Sequence, residues 1–177
     1  MAFLVNEFKQ RLVNDGARPT LFDVQITFQG STANSSVPNL NFKCKAAQIP
    51  ASTVGTIEVP YFGRKIKVAG DRTFAEWTIT VINDESFRIR NGFESWSNLI
   101  NQHVENNRAG LYQADAVVQQ YGKDGNPIVN GLYSFKNIWP SEIGAIDLSW
   151  ETTDSIEEYT VTLQYDYWTN NYSTDVA

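Results

Sequence analysis

The stretch "TFAEWTITVINDESFRIRNGFESW", residues 73 to 96, changes its apolar period halfway along. Ala75, Trp77, Ile79 and Val81 alternate with Glu76, Thr78 and Thr80, the two-residue repeat of a strand with one buried face. Beyond Phe87 the repeat lengthens. Ile89, Phe93, Trp96, Ile100 and His103 recur every three or four positions, a single buried stripe on a helix. Between the two, Asn83-Asp84-Glu85-Ser86 offers an Asx cap followed by carboxylates, which a helix N-terminus favours by about 0.3 to 1 kcal/mol each. A strand running into a capped helix over 84–104 is expected.

Upstream, residues 49–72 contain Pro50, Gly55, Pro60, Gly63 and Gly70 around two short alternating runs, Ile57/Val59/Tyr61 and Ile66/Val68. Such punctuation suits an extended β-hairpin arm better than core sheet. Arg64, Lys65, Lys67 and Arg72 place four cations in this arm. No lysine-serine phosphate-loop signature follows, and no helix begins at Gly70 to aim backbone amides at an anion. Gly70-Asp71-Arg72 therefore reads as the break that ends the arm, with Asp71 and Arg72 in turn-stabilising or inter-chain ion pairs.

Farther upstream, Leu4, Phe8 and Leu12 recur every four residues, predicting a short helix within 1–16 that stops at Asp15-Gly16. "LFDVQITF" (21–28) and "LNFKCKAA" (40–47) alternate as strands on either side of a polar loop at 29–39. Downstream, residues 112–139 read as a hairpin turning at Asp124-Gly125. "GAIDLSW" (144–150) and "EEYTVTLQYDYW" (157–168) read as a final strand pair, with Ile146, Leu148 and Trp150 on an apolar face. The pattern predicts a mainly β chain: one domain over 1–177, a β-sandwich or barrel with one flanking α-helix.

A chain of 177 residues buries roughly 70% of its unfolded surface without needing a disulfide. Cys44 is the only cysteine, which excludes an intrachain disulfide and suggests a buried, inert thiol. Charges interrupt the apolar residues of the N-terminus, so no signal peptide is expected, and no stretch reaches the ~20 apolar residues of a membrane span. The triplets at Asn34 and Asn171 then read as chance glycosylation matches. A net charge of −6 and a pI near 4.8 oppose a nucleic-acid grip.

Chemistry-bearing patterns are sparse. His103, the only histidine, sits on the helix stripe and reads as structural. The adjacent carboxylates Asp84/Glu85 and Glu157/Glu158 point apart along a helix or strand and cannot flank a substrate. "YGKDGNPIVNG" (121–131) lacks the acidic spacing of a calcium loop. No catalytic, cofactor-binding or metal-binding residue is assigned, and no enzyme is expected. Trp139, Trp168 and Tyr172 stand apart from the core alternation, which leaves open a monomeric carbohydrate-binding sandwich.

"GRKIKVAGDRTFAEWTITVINDESF" (63–87), with "ARPTLFDVQITF" (17–28), "FKCKAAQIP" (42–50) and the ending from Ile138 to Trp168, resembles the tail tube proteins of contractile-tailed bacteriophages, relatives of type VI secretion and pyocin tube proteins. Residues 31–38 and the tail 169–177 depart from the pattern, and a baseplate tube initiator of the same fold is the nearest alternative. The resemblance implies a structural virion protein, assembled in the host cytoplasm without a membrane anchor. It implies homo-hexameric rings with a continuous inner β-barrel, stacked into a rigid tube that conducts DNA into the host. Sheath, baseplate tube, tail terminator and tape-measure proteins are the implied partners.

Two physical arguments accompany the resemblance. A barrel of ~16 to 18 strands encloses only a modest channel, so the roughly eight to ten strands of one such chain cannot enclose a duplex. A lumen poor in cations also avoids the counterion release that would make DNA stick. Thr78, Thr80, Asp147, Ser149, Thr160, Thr162 and Gln164 are the expected lumen-facing residues. Arg64, Lys65, Lys67, Asp71 and Arg72 are the expected contacts between subunits or rings.

Overall fold

The computed structural model describes residues 5–28, 43–102 and 112–171. The polar segment 29–39, the Asn34 triplet, His103 and Tyr172 lie outside them. A helix, α1 (Val5–Arg11), and one 3-10 turn (Val13–Asp15) precede β1 (Phe22–Phe28). Then follow β2 (Cys44–Ala46), β3 (Thr53–Tyr61), β4 (Arg64–Thr73), β5 (Trp77–Ile82), α2 (Arg88–Ile100), β6 (Ala114–Tyr121), β7 (Pro127–Ile143), β8 (Glu158–Gln164) and β9 (Tyr167–Asn170).

Seven of these strands form one antiparallel sheet in the order β1-β6-β7-β8-β5-β2, with β9 also paired to β7. Alternation decides what each strand buries. β5 turns Trp77, Ile79 and Val81 inward, β8 turns Tyr159, Val161 and Leu163, and β6 turns Ala114, Ala116 and Val118. With Val24, Ile26, Phe135 and Ile138 they make one core, where Trp77 stacks on Phe135 at 4.3 Å. The small Ala114 and Ala116 leave room for Trp96, whose indole N–H donates to the Tyr112 carbonyl at 2.6 Å.

The sheet turns a corner at Asn137. Its φ of +58° lies in the left-handed region, where asparagine is among the few residues tolerated. β7 pairs with β9 up to Lys136 and with β6 as far as Ile138; from Trp139 onward it pairs with β8. Two carboxylates fix the bend: Asp115 accepts from the Asn137 amide at 3.3 Å and from Lys136 at 2.7 Å, while Asp166 accepts from the Asn137 side chain at 2.7 Å. Here β8 gives way to β9, so two neighbouring strands bend together and curl the sheet toward closure.

The helix α2 buries Ile89, Phe93 and Trp96, the stripe its sequence carries. Its start differs from the expectation. The helix begins at Arg88, because Phe87 adopts a left-handed conformation (φ 51°) that breaks the helical path, and no side-chain cap bond is made. Asn83 to Ser86 are used otherwise: buried Asn83 donates its side-chain amide to Glu157 at 2.7 Å, and Asp84 pairs with Lys43 and accepts from Ser86. These bonds hold the Asp84 carboxyl below the usual carboxylate range, the one to Lys43 foremost.

The expected strand 144–150 is a loop. Gly144 donates to the Thr160 carbonyl at 2.7 Å as the chain leaves the sheet. A Cβ on Gly144 would lie 2.9 Å from that oxygen, an approach only glycine permits. Beyond it Leu148 and Trp150, expected in the core, are 81% and 102% exposed. Alternation alone was misleading here, since no partner strand supplies the ladder.

Candidate functional site: an unpartnered arm and a polar sheet face

The strands β3 and β4 form a separate two-stranded ribbon. Its register places Ile57 opposite Val68 and Val59 opposite Ile66, so these four side chains share one face, with Tyr61 and Arg64 at its outer end. The other face carries Glu58 opposite Lys67 and Pro60 opposite Lys65. Ile57, Val59, Ile66 and Val68 are 44 to 55% exposed, as none of the other described elements covers them. At the tip, Phe62 and Gly63 take positive φ (42° and 77°), closing a tight hairpin turn, and the Phe62 ring is 91% exposed. Tyr61 meets it edge-on at 4.6 Å.

Gly70-Asp71-Arg72 is not the break expected from the sequence; it lies within β4, which runs on to Thr73. A bulge falls here, where the pairing shifts between Val54/Arg72 and Thr56/Ala69. Gly70 suits the close approach here, since a Cβ would crowd the Gly55 carbonyl at 3.2 Å. The shift turns Arg72 to the face of Glu58 and Lys67. Of the five expected contact residues, Arg64, Lys65, Lys67, Asp71 and Arg72, all are exposed on the ribbon, and Lys65 pairs with Glu58 at 2.7 Å.

The root of the arm is anchored by two indoles. Trp77 donates to the Gln48 carbonyl at 2.9 Å, and Trp168 donates to the Ala51 carbonyl at 3.3 Å. Trp168, singled out from sequence as a possible stacking platform, is half-buried and packs edge-on against Tyr133 at 5.6 Å. Trp139 is likewise half-buried, against Tyr112.

The sheet face opposite the core is polar where β5 meets β8. Thr78 pairs with Thr162 and Thr80 with Thr160, a threonine ladder in which each cross-strand pair contributes ~0.2 to 1 kcal/mol. Gln164 lies in line with them and donates to Glu76 at 3.3 Å. Ser141 of β7 bonds the Thr162 carbonyl at 3.1 Å, and Asp23, Gln25 and Thr27 of β1 fall on the same side of the sheet. These β1 residues were legible as a polar strand face but were not expected at the site. Asp147 and Ser149 do not join the ladder; they sit on the 144–157 loop. Among the described residues, no group of three or more His, Cys, Asp or Glu side chains is placed to hold a metal, and no helix is long and apolar enough to cross a membrane.

Among the described residues, a curled β-sheet with a polar face and a separate, exposed ribbon define the class: a β-rich subunit with a projecting arm. The family model for phage tail tube proteins matches residues 17–171, and the chain belongs to that family, whose members are structural proteins of the virion tail. The tail tube protein gp19 of Enterobacteria phage T4 is 37% identical over 157 residues, 87% of this chain and 91% of the relative. Among solved structures, a chain of the sheath-tube complex of an extracellular contractile injection system shares the fold at a TM-score of 0.62 and 14% identity, over 96% of this chain and 99% of the other. A chain of the six-fold symmetrised anti-feeding prophage baseplate does so at a TM-score of 0.62 and 11% identity, over 88% and 95%. The tube reading fits these relatives better than a baseplate initiator or a carbohydrate-binding module.

Proposed function

We propose that this chain polymerises as stacked hexameric rings into the inner tube of a contractile phage tail, and that the tube conducts double-stranded DNA. The observation that carries this reading is the arm: Ile57, Val59, Ile66 and Val68 lie exposed on one face of a ribbon that no other described element covers. Covering each stabilises the assembly by on the order of 1 kcal/mol, since full burial of such a side chain gives ~1.5 to 3 and about half is already hidden. An uncovered ribbon with free edges is also an aggregation hazard that assembly removes.

Charge supports the same reading. Arg64, Lys65, Lys67, Asp71 and Arg72 are positioned to meet a neighbouring subunit or ring. Exposed pairs contribute only ~0 to 1 kcal/mol each, so their effect comes from repetition around a ring. Thr78, Thr80, Thr160, Thr162 and Gln164 face the lumen in this reading. Their uncharged polar surface presents no cations to phosphate, and DNA then slides without the counterion release that fixes it. Sheath, terminator, baseplate and tape-measure proteins are the expected partners of the finished tube in the virion, after assembly in the host cytoplasm. The protein acts by shape and not by catalysis.

The test is a double substitution, Arg64→Glu with Lys67→Glu. Folded monomers that no longer form tubes are expected, and tube formation at the unmodified rate would overturn the role given to the arm.

A further inference from the structure

A head-to-tail ring or filament needs two different patches on one chain that complement each other. The ribbon is one. The other emerges from the loop that departs from the sequence expectation, residues 145–158. Leu148, Trp150 and Ile156 stand on it at 81, 102 and 69% exposure, and Asp147, Glu151 and Asp154 are exposed beside them. Scattered exposed apolar residues need no explanation, but three large ones on one short acidic loop mark a contact surface.

The loop is shaped and not slack. Ser149 organises it, accepting from the Glu151 amide at 3.2 Å and, through its carbonyl, from the Thr152 hydroxyl at 2.9 Å. Arg90 reaches from α2 to the Gly144 carbonyl at 3.1 Å and lies 5.1 Å from the Tyr159 ring, fixing the loop's exit from the sheet. The loop folds around a concavity of about 320 Å³, lined in part by Ile146, Leu148 and Ile156 and otherwise by polar residues such as Ser149, Thr152 and Glu157. Asp147 stands at its wall.

Resting on the tube reading above, we propose that loop 145–158 of one copy is the seat for the arm of the next copy. Phe62 at the arm's tip lies against Leu148, Trp150 and Ile156, while Arg64 and Lys67, on the two faces of the ribbon behind that tip, meet Asp147, Glu151 and Asp154. The complement is one of kind, apolar to apolar and cation to carboxylate. The described ion pairs join Lys43, Lys45, Lys65, Arg90 and Lys136 to Asp84, Glu158, Glu58, Glu94 and Asp115, and use none of these five charged groups. Both surfaces are exposed in the same chain, so they do not satisfy each other within it; a second copy supplies each with the other. An occupant from a different protein would have to match a pattern that the chain already carries on its own arm.

Charge exchange tests the seat. An arm-reversed chain (Arg64→Glu, Lys67→Glu) and a loop-reversed chain (Asp147→Lys, Glu151→Lys, Asp154→Lys) should each lose pelletable tubes, and the chain with all five changes should regain them. A milder pair, Phe62→Cys with Trp150→Cys in a Cys44→Ala background, keeps every charge and should give disulfide-linked ladders on oxidation of the assembled protein. Tubes from the loop-reversed chain, or absence of both rescue and ladders while the unmodified chain assembles, overturn the seat and leave the tube reading standing. Absence of tubes from the unmodified chain overturns the tube reading itself.

Discussion

The indole N–H of Trp168 donates to the backbone carbonyl of Ala51, 117 positions earlier in the chain, at 3.3 Å. This bond ties the last strand of the sheet to the segment from which the arm departs. Trp77, at the start of β5, fastens the same segment three residues earlier, donating to the Gln48 carbonyl at 2.9 Å. The arm projects from the subunit, yet its root is fastened at two points to the curled sheet, so its direction is set before any neighbour arrives.

Removing a fastening while keeping an aromatic ring isolates that effect. Trp168→Phe should cost about 1 kcal/mol, the net value of an ordinary hydrogen bond, and raise amide exchange selectively over Ala51 to Val54. Unchanged exchange there would show that the bond does not hold the root.

The helix stripe offers a test of packing. Phe93 is wholly buried and lies 6.3 Å from Trp96, ring to ring. Phe93→Ala should destabilise the monomer by about 3 to 5 kcal/mol in denaturant titration, the range for a large aromatic lost from a core. A loss under about 1 kcal/mol would mean that α2 does not cover the sheet as described.

Much of this architecture was legible because alternation and helical period report burial directly. Trp77 to Val81 and Ile89 to Trp96 reveal their inward faces without knowledge of neighbours, and Asp124-Gly125 marks its own turn. What was hidden depended on partners distant in sequence. Leu148 and Trp150 alternate like a strand, but no strand lies beside them. Asn83 and Asp84 look like caps, yet Glu157 and Lys43 claim their side chains. Gly70 signals a break, whereas it permits close backbone approach inside a bulge. At the site, the threonine ladder followed from alternation, while the anchoring role of Trp168 required knowing that Ala51 lies beneath it.

The lumen assignment can be read by access. In a Cys44→Ala background, Thr160→Cys should react with both small and protein-sized maleimides in the monomer, but with the small reagent alone once tubes form. Equal labelling of assembled tubes by the large reagent would place the ladder on the outer surface.

Burial pushes the Cys44 thiol from 9.0 up to about 12. The folded state thus keeps a proton that the unfolded chain sheds. The stabilisation from this group is full below pH 9 and is lost as the pH rises toward 12. Cys44→Ala should flatten the decline of stability across that window, measured by denaturant midpoint, and alkylation of native Cys44 near neutral pH should be slow. A decline of the same steepness in Cys44→Ala would assign it elsewhere, with Tyr159 as the next group, since burial also pushes its hydroxyl up to about 12.

The central claim is that this subunit exists to be stacked. Negative-stain electron microscopy of the purified chain tests it most directly. Striated tubes, with six-fold symmetry in end-on views, are the expected result. Monodisperse particles of one subunit, across protein concentrations and salt conditions that leave the fold intact, would contradict it.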